Sequence, residues 1–207
     1  ICWASAMQQA TVQLGKLGIQ AIVNTMGVSV AAAFAVVNRI DDFAYTPEQN
    51  IAHAMTALMA QNKGAGKNER MREGFRCGIA LELLYGAAVF AICFLLARPL
   101  MLLFVKDEDV ITHGVSYLHL IAAMYLLPAV TNGIQGYFRG IGDLKITLIS
   151  SFINMGVRVL AAFILVFFLG MGIEALPFSY MAGWFGMLIA EVPLLVKTYG
   201  KREMKRL

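Results

Sequence analysis

Two ordered runs of polar side chains interrupt an otherwise apolar chain. Ser5, Gln9, Gln13, Lys16, Gln20 and Asn24 recur at intervals of four and three, as do Arg39, Asp42, Thr46, Gln49, His53 and Thr56. That spacing puts each set on one face of a helix. Asn132, Gln135 and Arg139 form a shorter stripe, and Ser151, Asn154 and Arg158 another. Amides, carboxyls, an imidazole and a few bases in such rows suit a water-filled path for ions or polar solutes. They could instead join helices through hydrogen bonds. For the first two helices the stripes run nearly the full helix length, more than joining requires, and the path is the preferred reading. For the later stripe at Ser151 both readings stand. Arg39 and Asp42, three apart, are expected to neutralise each other. Asp41 lies off the stripe, and one arginine cannot satisfy two carboxylates, so Asp41 or Asp42 is left as a titrating group. His53 is a possible proton carrier or a hydrogen-bonded interhelical residue.

The elements that must hold these rows follow from composition. The chain has 207 residues, 59% hydrophobic and 14% charged. Soluble domains carry about 25% charged residues, so this is the composition of an integral membrane protein. A charge at mid-bilayer costs about 2.5–3.5 kcal/mol, which is why the striped helices call for a polar surrounding. The expected fold is all-α, with six membrane-spanning helices over about 1–26, 30–62, 70–97, 110–139, 143–170 and 173–199, and there is no barrel-type alternation. Pro47 and Pro128 fall inside two of them and each favours a kink, as a static bend or as a moving part. Ile1 opens inside an apolar run with no signal-type leader, so the start of a longer protein is expected upstream. Cys2, Cys77 and Cys93 are too few and scattered for a disulfide framework or a metal site.

Orientation is read from the connections. Residues 63–76 carry Lys63, Lys67, Arg70, Arg72 and Arg76 against Glu69 and Glu73. The turn over 139–145 has Arg139 and Lys145 against Asp143, and the tail has Lys197, Lys201, Arg202, Lys205 and Arg206 against Glu203. The alternate connections, "MGVS", "RPLMLLFVKDEDV" and "GMGIE", are uncharged or net acidic. Basic loops face the cytoplasm, so the 63–76 loop and the C-terminus are expected there, in a multi-pass protein of the cell's inner membrane.

The stretch "QNKGAGKNER" contains "GAGK", which invites comparison with a phosphate-binding loop. That loop needs G-x-x-x-x-G-K-[ST] after a strand. Here position 61 is Gln, position 68 is Asn, and the preceding segment is a helix. Nucleotide and nucleic acid are not expected partners. His53, His113 and His119 form no metal-type cluster, and no convergent catalytic set is present, so an intramembrane enzyme is not the reading.

The same region carries a family resemblance. "NRIDDFAYTPEQNIAHAMTALMAQNKGAGKNERMREG", "ARPLMLLFVKDEDVITHGVSYL" and "GYFRGIGDLK" resemble, in order and spacing, segments of the MATE (multidrug and toxic compound extrusion) transporters. The resemblance implies a twelve-helix fold of two parallel six-helix lobes, with this chain as the C-terminal lobe, helices seven to twelve. It implies a secondary antiporter that exports drugs or organic cations in exchange for H⁺ or Na⁺, with no other cofactor. Its partners would be those solutes, the lipid bilayer and the N-terminal lobe. A lipid-linked oligosaccharide flippase of the same superfamily is the alternative. The cavity would be lined from the three striped helices by Gln9, Gln13, Lys16, Arg39, Asp41, Asp42, Gln49, His53, Asn132 and Gln135. Sodium-coupled members of the norfloxacin-exporter branch place acids on helices seven and ten. Here those regions read "QQATVQ" and "LLPAVTNGIQ", with no interior carboxylate. The coupling acid is therefore expected first in the N-terminal lobe, and second at Asp41 or Asp42.

Overall fold

The computed structural model describes the backbone of residues 2–204 and the side chains of residues 6–198. Ile1 and residues 205–207 lie outside the described residues, as do the side chains of Cys2, Ser5, Lys201, Arg202 and Glu203, so much of the basic tail is not described. The described elements are all helical: α1 (Cys2–Asn24), α2 (Val28–Gly64), α3 (Asn68–Leu95), a short α4 (Ala97–Leu102), α5 (Glu108–Ala122), α6 (Leu126–Gly140), α7 (Leu144–Phe163, prolonged by a π turn over Ile164–Phe168) and α8 (Ala175–Met204).

Among the described residues, three helices are long and apolar enough to cross a membrane: Asn68–Leu95, Leu144–Phe168 and Ala175–Thr198. A fourth forms if α5 and α6, bent by 51° at their junction, are one broken span. Helices α1 and α2 have the length, but their polar stripes dilute their hydropathy. Exposed apolar side chains such as Leu84, Leu95, Phe168 and Ile189 cover much of the outer surface, as lipid contact requires.

The single helix expected over 110–139 is thus two. Pro128 has no N–H to give the carbonyl of Met124. Leu127 N donates to that oxygen instead, at 2.9 Å, and Met124 N and Tyr125 N bond three residues back to Ile121 and Ala122. These tight turns break the axis. Pro47 has a milder effect, and α2 stays continuous. Around it, Thr46 Oγ1 donates to the Asp42 carbonyl at 2.6 Å and Tyr85 of α3 donates to the Ala44 carbonyl at 3.0 Å. At the start of α5, Asp107 caps the helix by accepting from Asp109 N at 2.9 Å, with Glu108 and Asp109 favourably placed in its first turn.

Helix α2 packs on α3, α5 and α6, while α1 packs on α7 and α7 on α8; α6 joins the two groups. Small residues let the axes close up. A Cβ on Gly136 would lie 2.7 Å from the Ala52 carbonyl oxygen, and one on Gly140 would lie 2.4 Å from the Met59 Cβ. Close backbones of this kind are how membrane helices gain packing. The core has two clusters at opposite ends. One gathers Ile22, Val23, Phe34, Ile111, Tyr117 and Leu176; the other gathers Met59, Met71, Tyr137, Phe138 and Ile141. The second end also holds the basic turns. Lys63 Nζ donates to the Ile141 carbonyl at 2.5 Å, tying the 63–67 turn to the 141–143 turn. In the first of these turns Gly66 takes a positive φ of 70°, which glycine tolerates after a helix end.

Candidate functional site

The polar groups fall into an open face and a buried interior. On the open face, Gln9, Gln13 and Lys16 of α1, and Arg39, Asp42, Gln49 and His53 of α2, are all exposed. Helices α1 and α2 meet only sparingly along their length. The two rows confront each other across an ion pair, Lys16 Nζ to Asp42 Oδ1 at 3.9 Å, with side chains 56% and 74% exposed. Asp42 therefore pairs across the helices with Lys16 and not, as the i, i+3 spacing predicts, with Arg39. The spacing allows the same-helix contact, but the facing lysine is the group the fold brings to the carboxylate.

Three residues assigned to this face leave it. Asp41 points inward and accepts a hydrogen bond from the hydroxyl of Tyr125, the residue at the α5–α6 break. Asn132 and Gln135 are 5% and 4% exposed and belong to interior networks, because α6 lies between the other helices.

Asn132 joins a ladder within the α2, α3 and α6 group. Tyr45 donates to Asn132 Oδ1 at 3.0 Å, and Asn132 Nδ2 donates to Glu48 Oε2 at 3.4 Å. Glu48 and its neighbour Glu82 of α3 are 1% and 0% exposed. Among the described residues, the remaining oxygen of Glu48 and both oxygens of Glu82 have no hydrogen-bond partner. Asp41, Tyr45 and Glu48 follow one another at i, i+4 and i+7, so α2 carries a second polar face turned toward α3 and α6. That face went unread in the sequence, although Glu48 and Glu82 are visible there as acids within helices.

Gln135 joins the other interior network. Gln8 Nε2 donates to Gln135 Oε1 at 3.3 Å and to Ser151 Oγ at 2.9 Å, and Arg139 donates to the same Gln135 oxygen at 2.5 Å. These bonds connect α1, α6 and α7. Glu191 of α8 is fully buried near Ser150, Gln135 and Arg139. The Ser151 and Asn154 stripe therefore serves, at least in part, to join helices. Arg158 lies over the Tyr180 ring, a cation–π contact.

The MatE family model matches residues 4–164, more than half of the chain. The chain belongs to the MatE family. It is 26% identical over 162 residues to the probable multidrug resistance protein YoeA of Bacillus subtilis, a match covering 78% of this chain and 35% of that protein. It is 25% identical over 163 residues to the probable multidrug resistance protein NorM of Thermotoga maritima, again covering 78% and 35%. Among solved structures, a mutant of the Vibrio cholerae MATE transporter VcmN superposes with a TM-score of 0.89 at 18% identity, covering 95% of this chain and 45% of that one. The chain thus spans about a third of the length of these curated relatives, and it has the fold of a MATE transporter segment. Within this MatE segment the interior carboxyls sit on α2, α3 and α8; α1 has none, and α5–α6 has none beyond the first turn of α5.

Proposed function

We propose that this chain is the C-terminal lobe of a secondary antiporter that exports drugs or organic cations in exchange for H⁺ or Na⁺. The observation that carries the reading is the open polar face of α1 and α2, joined across Lys16 and Asp42. In a bundle otherwise clad in apolar side chains, an exposed face with both signs of charge needs water or a polar partner beside it. A second lobe facing it would enclose a central cavity, and rocking of the two lobes would expose that cavity to each side in turn. The placement as C-terminal lobe rests on the six expected spans and the expected cytoplasmic tail, read with the family resemblance. The basic turns gathered at one end support a cytoplasmic position for that end, in the inner membrane. A flippase for anionic lipid-linked sugars would favour a basic cavity. Lys16 and Arg39 are here interleaved with Asp42, Gln9, Gln13 and Gln49, which favours cationic or mixed solutes.

The test is dye efflux by the full-length transporter. Cells expressing it should accumulate less ethidium than cells without it; unchanged accumulation across a broad panel of cationic dyes sinks the efflux reading. In the same assay, Asp41→Asn and Asp42→Asn are compared. If both keep full activity with the same pH and Na⁺ dependence, neither carries the coupling ion.

A further inference from the structure

The most unusual chemistry in the lobe lies away from the open face. Glu48 and Glu82 are neighbours on α2 and α3, both sealed from solvent. Among the described residues, neither has a cation within ion-pair distance, and three of their four oxygens accept nothing. The groups facing them are Asp41 and Tyr45 from α2, Tyr85 from α3, and Asn132 from α6. None of these is basic. A second carboxylate beside the first, with Asp41 nearby, adds repulsion to a large desolvation penalty. Two bare carboxylates do not persist in such a place while it is sealed, so a small cation must neutralise at least one of them. A sodium ion would want several oxygens converging on it. The Asn132 oxygen is already taken by Tyr45, and its amide nitrogen, not its oxygen, is turned to Glu48. A proton needs only a carboxyl oxygen to sit on.

We propose that Glu48 and Glu82 form a proton-coupling site of this lobe, gaining and losing one proton in each transport cycle. Loading moves a proton from hydronium to a carboxylate oxygen of the pair and leaves water; unloading reverses the step. Two features give the site a way in and a mechanical output. Tyr45 is half-buried beside the exposed Gln49, so the Tyr45–Asn132–Glu48 ladder leads from the open face to the pair. Across from it is Gly86 of α3, where a Cβ would stand 3.7 Å from Glu48 Oε1, 3.4 Å from the Tyr125 carbonyl oxygen and 3.3 Å from the Ala129 Cβ. Glu48 thus lies beside the first turn of α6, immediately after the 51° bend, and Glu82 Cγ is 3.9 Å from where a Cβ on Gly133 of the same helix would stand. A change of one charge there acts on the joint between α5 and α6, with Asp41 holding Tyr125 at the same joint. This rests on the antiporter reading for its role in a cycle, but the proton site itself can be tested without any drug.

The experiment is pH-difference infrared spectroscopy on the full-length transporter reconstituted in lipid, reading the carbonyl stretch of protonated carboxyl groups. Acidification should raise a buried-carboxyl band that is lost in E48Q/E82Q and retained in D42N, whose acid is on the open face. A band undiminished in E48Q/E82Q overturns the proposal, as does a band that answers to Na⁺ at fixed pH and not to pH. If the double variant is not monodisperse, E48Q and E82Q are read singly, and an unaltered band in both has the same force. In proteoliposomes under a pH gradient, E48Q/E82Q should lose gradient-driven ethidium accumulation while still binding ethidium. If the unmutated protein moves no dye, the efflux reading fails while the infrared result still decides the proton site.

Discussion

Helix α2 has two polar faces with opposite surroundings. Arg39, Asp42, Gln49 and His53 are exposed, and the ion pair from Asp42 to Lys16 of α1 is long and wet. Asp41, Tyr45 and Glu48, interleaved with them, are bonded through Tyr125 and Asn132 on the α6 side, and Glu48 lies beside Glu82 of α3. On the first face water or a substrate can replace any partner, so single contacts are worth little. On the second no replacement exists, and every unpaired group is expensive. One helix thus serves as a cavity wall on one side and as part of a closed electrostatic device on the other.

The sharpest way to break this arrangement is to force α2 away from α6. Gly136→Leu or Gly140→Leu drives a side chain into the Ala52 carbonyl or the Met59 Cβ. Overpacking typically costs about 1–3 kcal/mol. Contact with backbone leaves no side chain to swing aside, so the upper end or loss of the folded protein is expected. Gly156→Ala is the control. A Cβ there meets nothing within 4 Å, and losing a helical glycine should stabilise by about 0.5–1 kcal/mol. Thermal denaturation of the purified full-length protein reads both. Equal effects at Gly136 and Gly156 would mean that the close α2–α6 approach does not hold the interior face together.

A smaller effect separates the two faces directly. Asn132→Leu strips Tyr45 of its acceptor and Glu48 of its donor. Leaving buried groups unpaired costs about 1–3 kcal/mol. Gln49→Leu, one helical turn from Tyr45 on α2 but exposed, should shift stability by no more than about 0.5 kcal/mol. Comparable losses at the two positions would show that the open face is not open in the whole transporter.

The exposed rows of α1 and α2 were legible because polar residues at three- and four-residue spacing stand out against apolar text. The interior face was not. Glu48 meets Asn132, 84 positions away in the chain, and spacing within one helix cannot register a partner on another. The same limit misassigned Asp42: Arg39 is visible three residues back, whereas Lys16 is a neighbour only after α1 and α2 fold together. Pro128 announced a bend, yet the break falls at residues 123–125, since the carbonyl a proline abandons lies four residues earlier. Asn132 and Gln135 looked like cavity residues because a polar stripe has the same spacing whether it faces water or three other helices.

The smallest expected effect is the most informative about the open face. Lys16→Met removes the partner of an exposed carboxylate 3.9 Å away. Stability should change by no more than about 1 kcal/mol. Binding should change more, because Asp42 is then free to attract a cation with no competing ammonium beside it. Ethidium should bind the full-length Lys16→Met protein more tightly and the Asp42→Asn protein more weakly, as read by fluorescence titration. Both differences should shrink as salt is raised, since the charges lie in solvent where ions screen them. Differences that survive high salt would place Lys16 and Asp42 in a closed environment and collapse the distinction between the two faces of α2. Tighter binding in Asp42→Asn would mean that this wall of the cavity repels cations, contrary to the efflux of organic cations proposed for it.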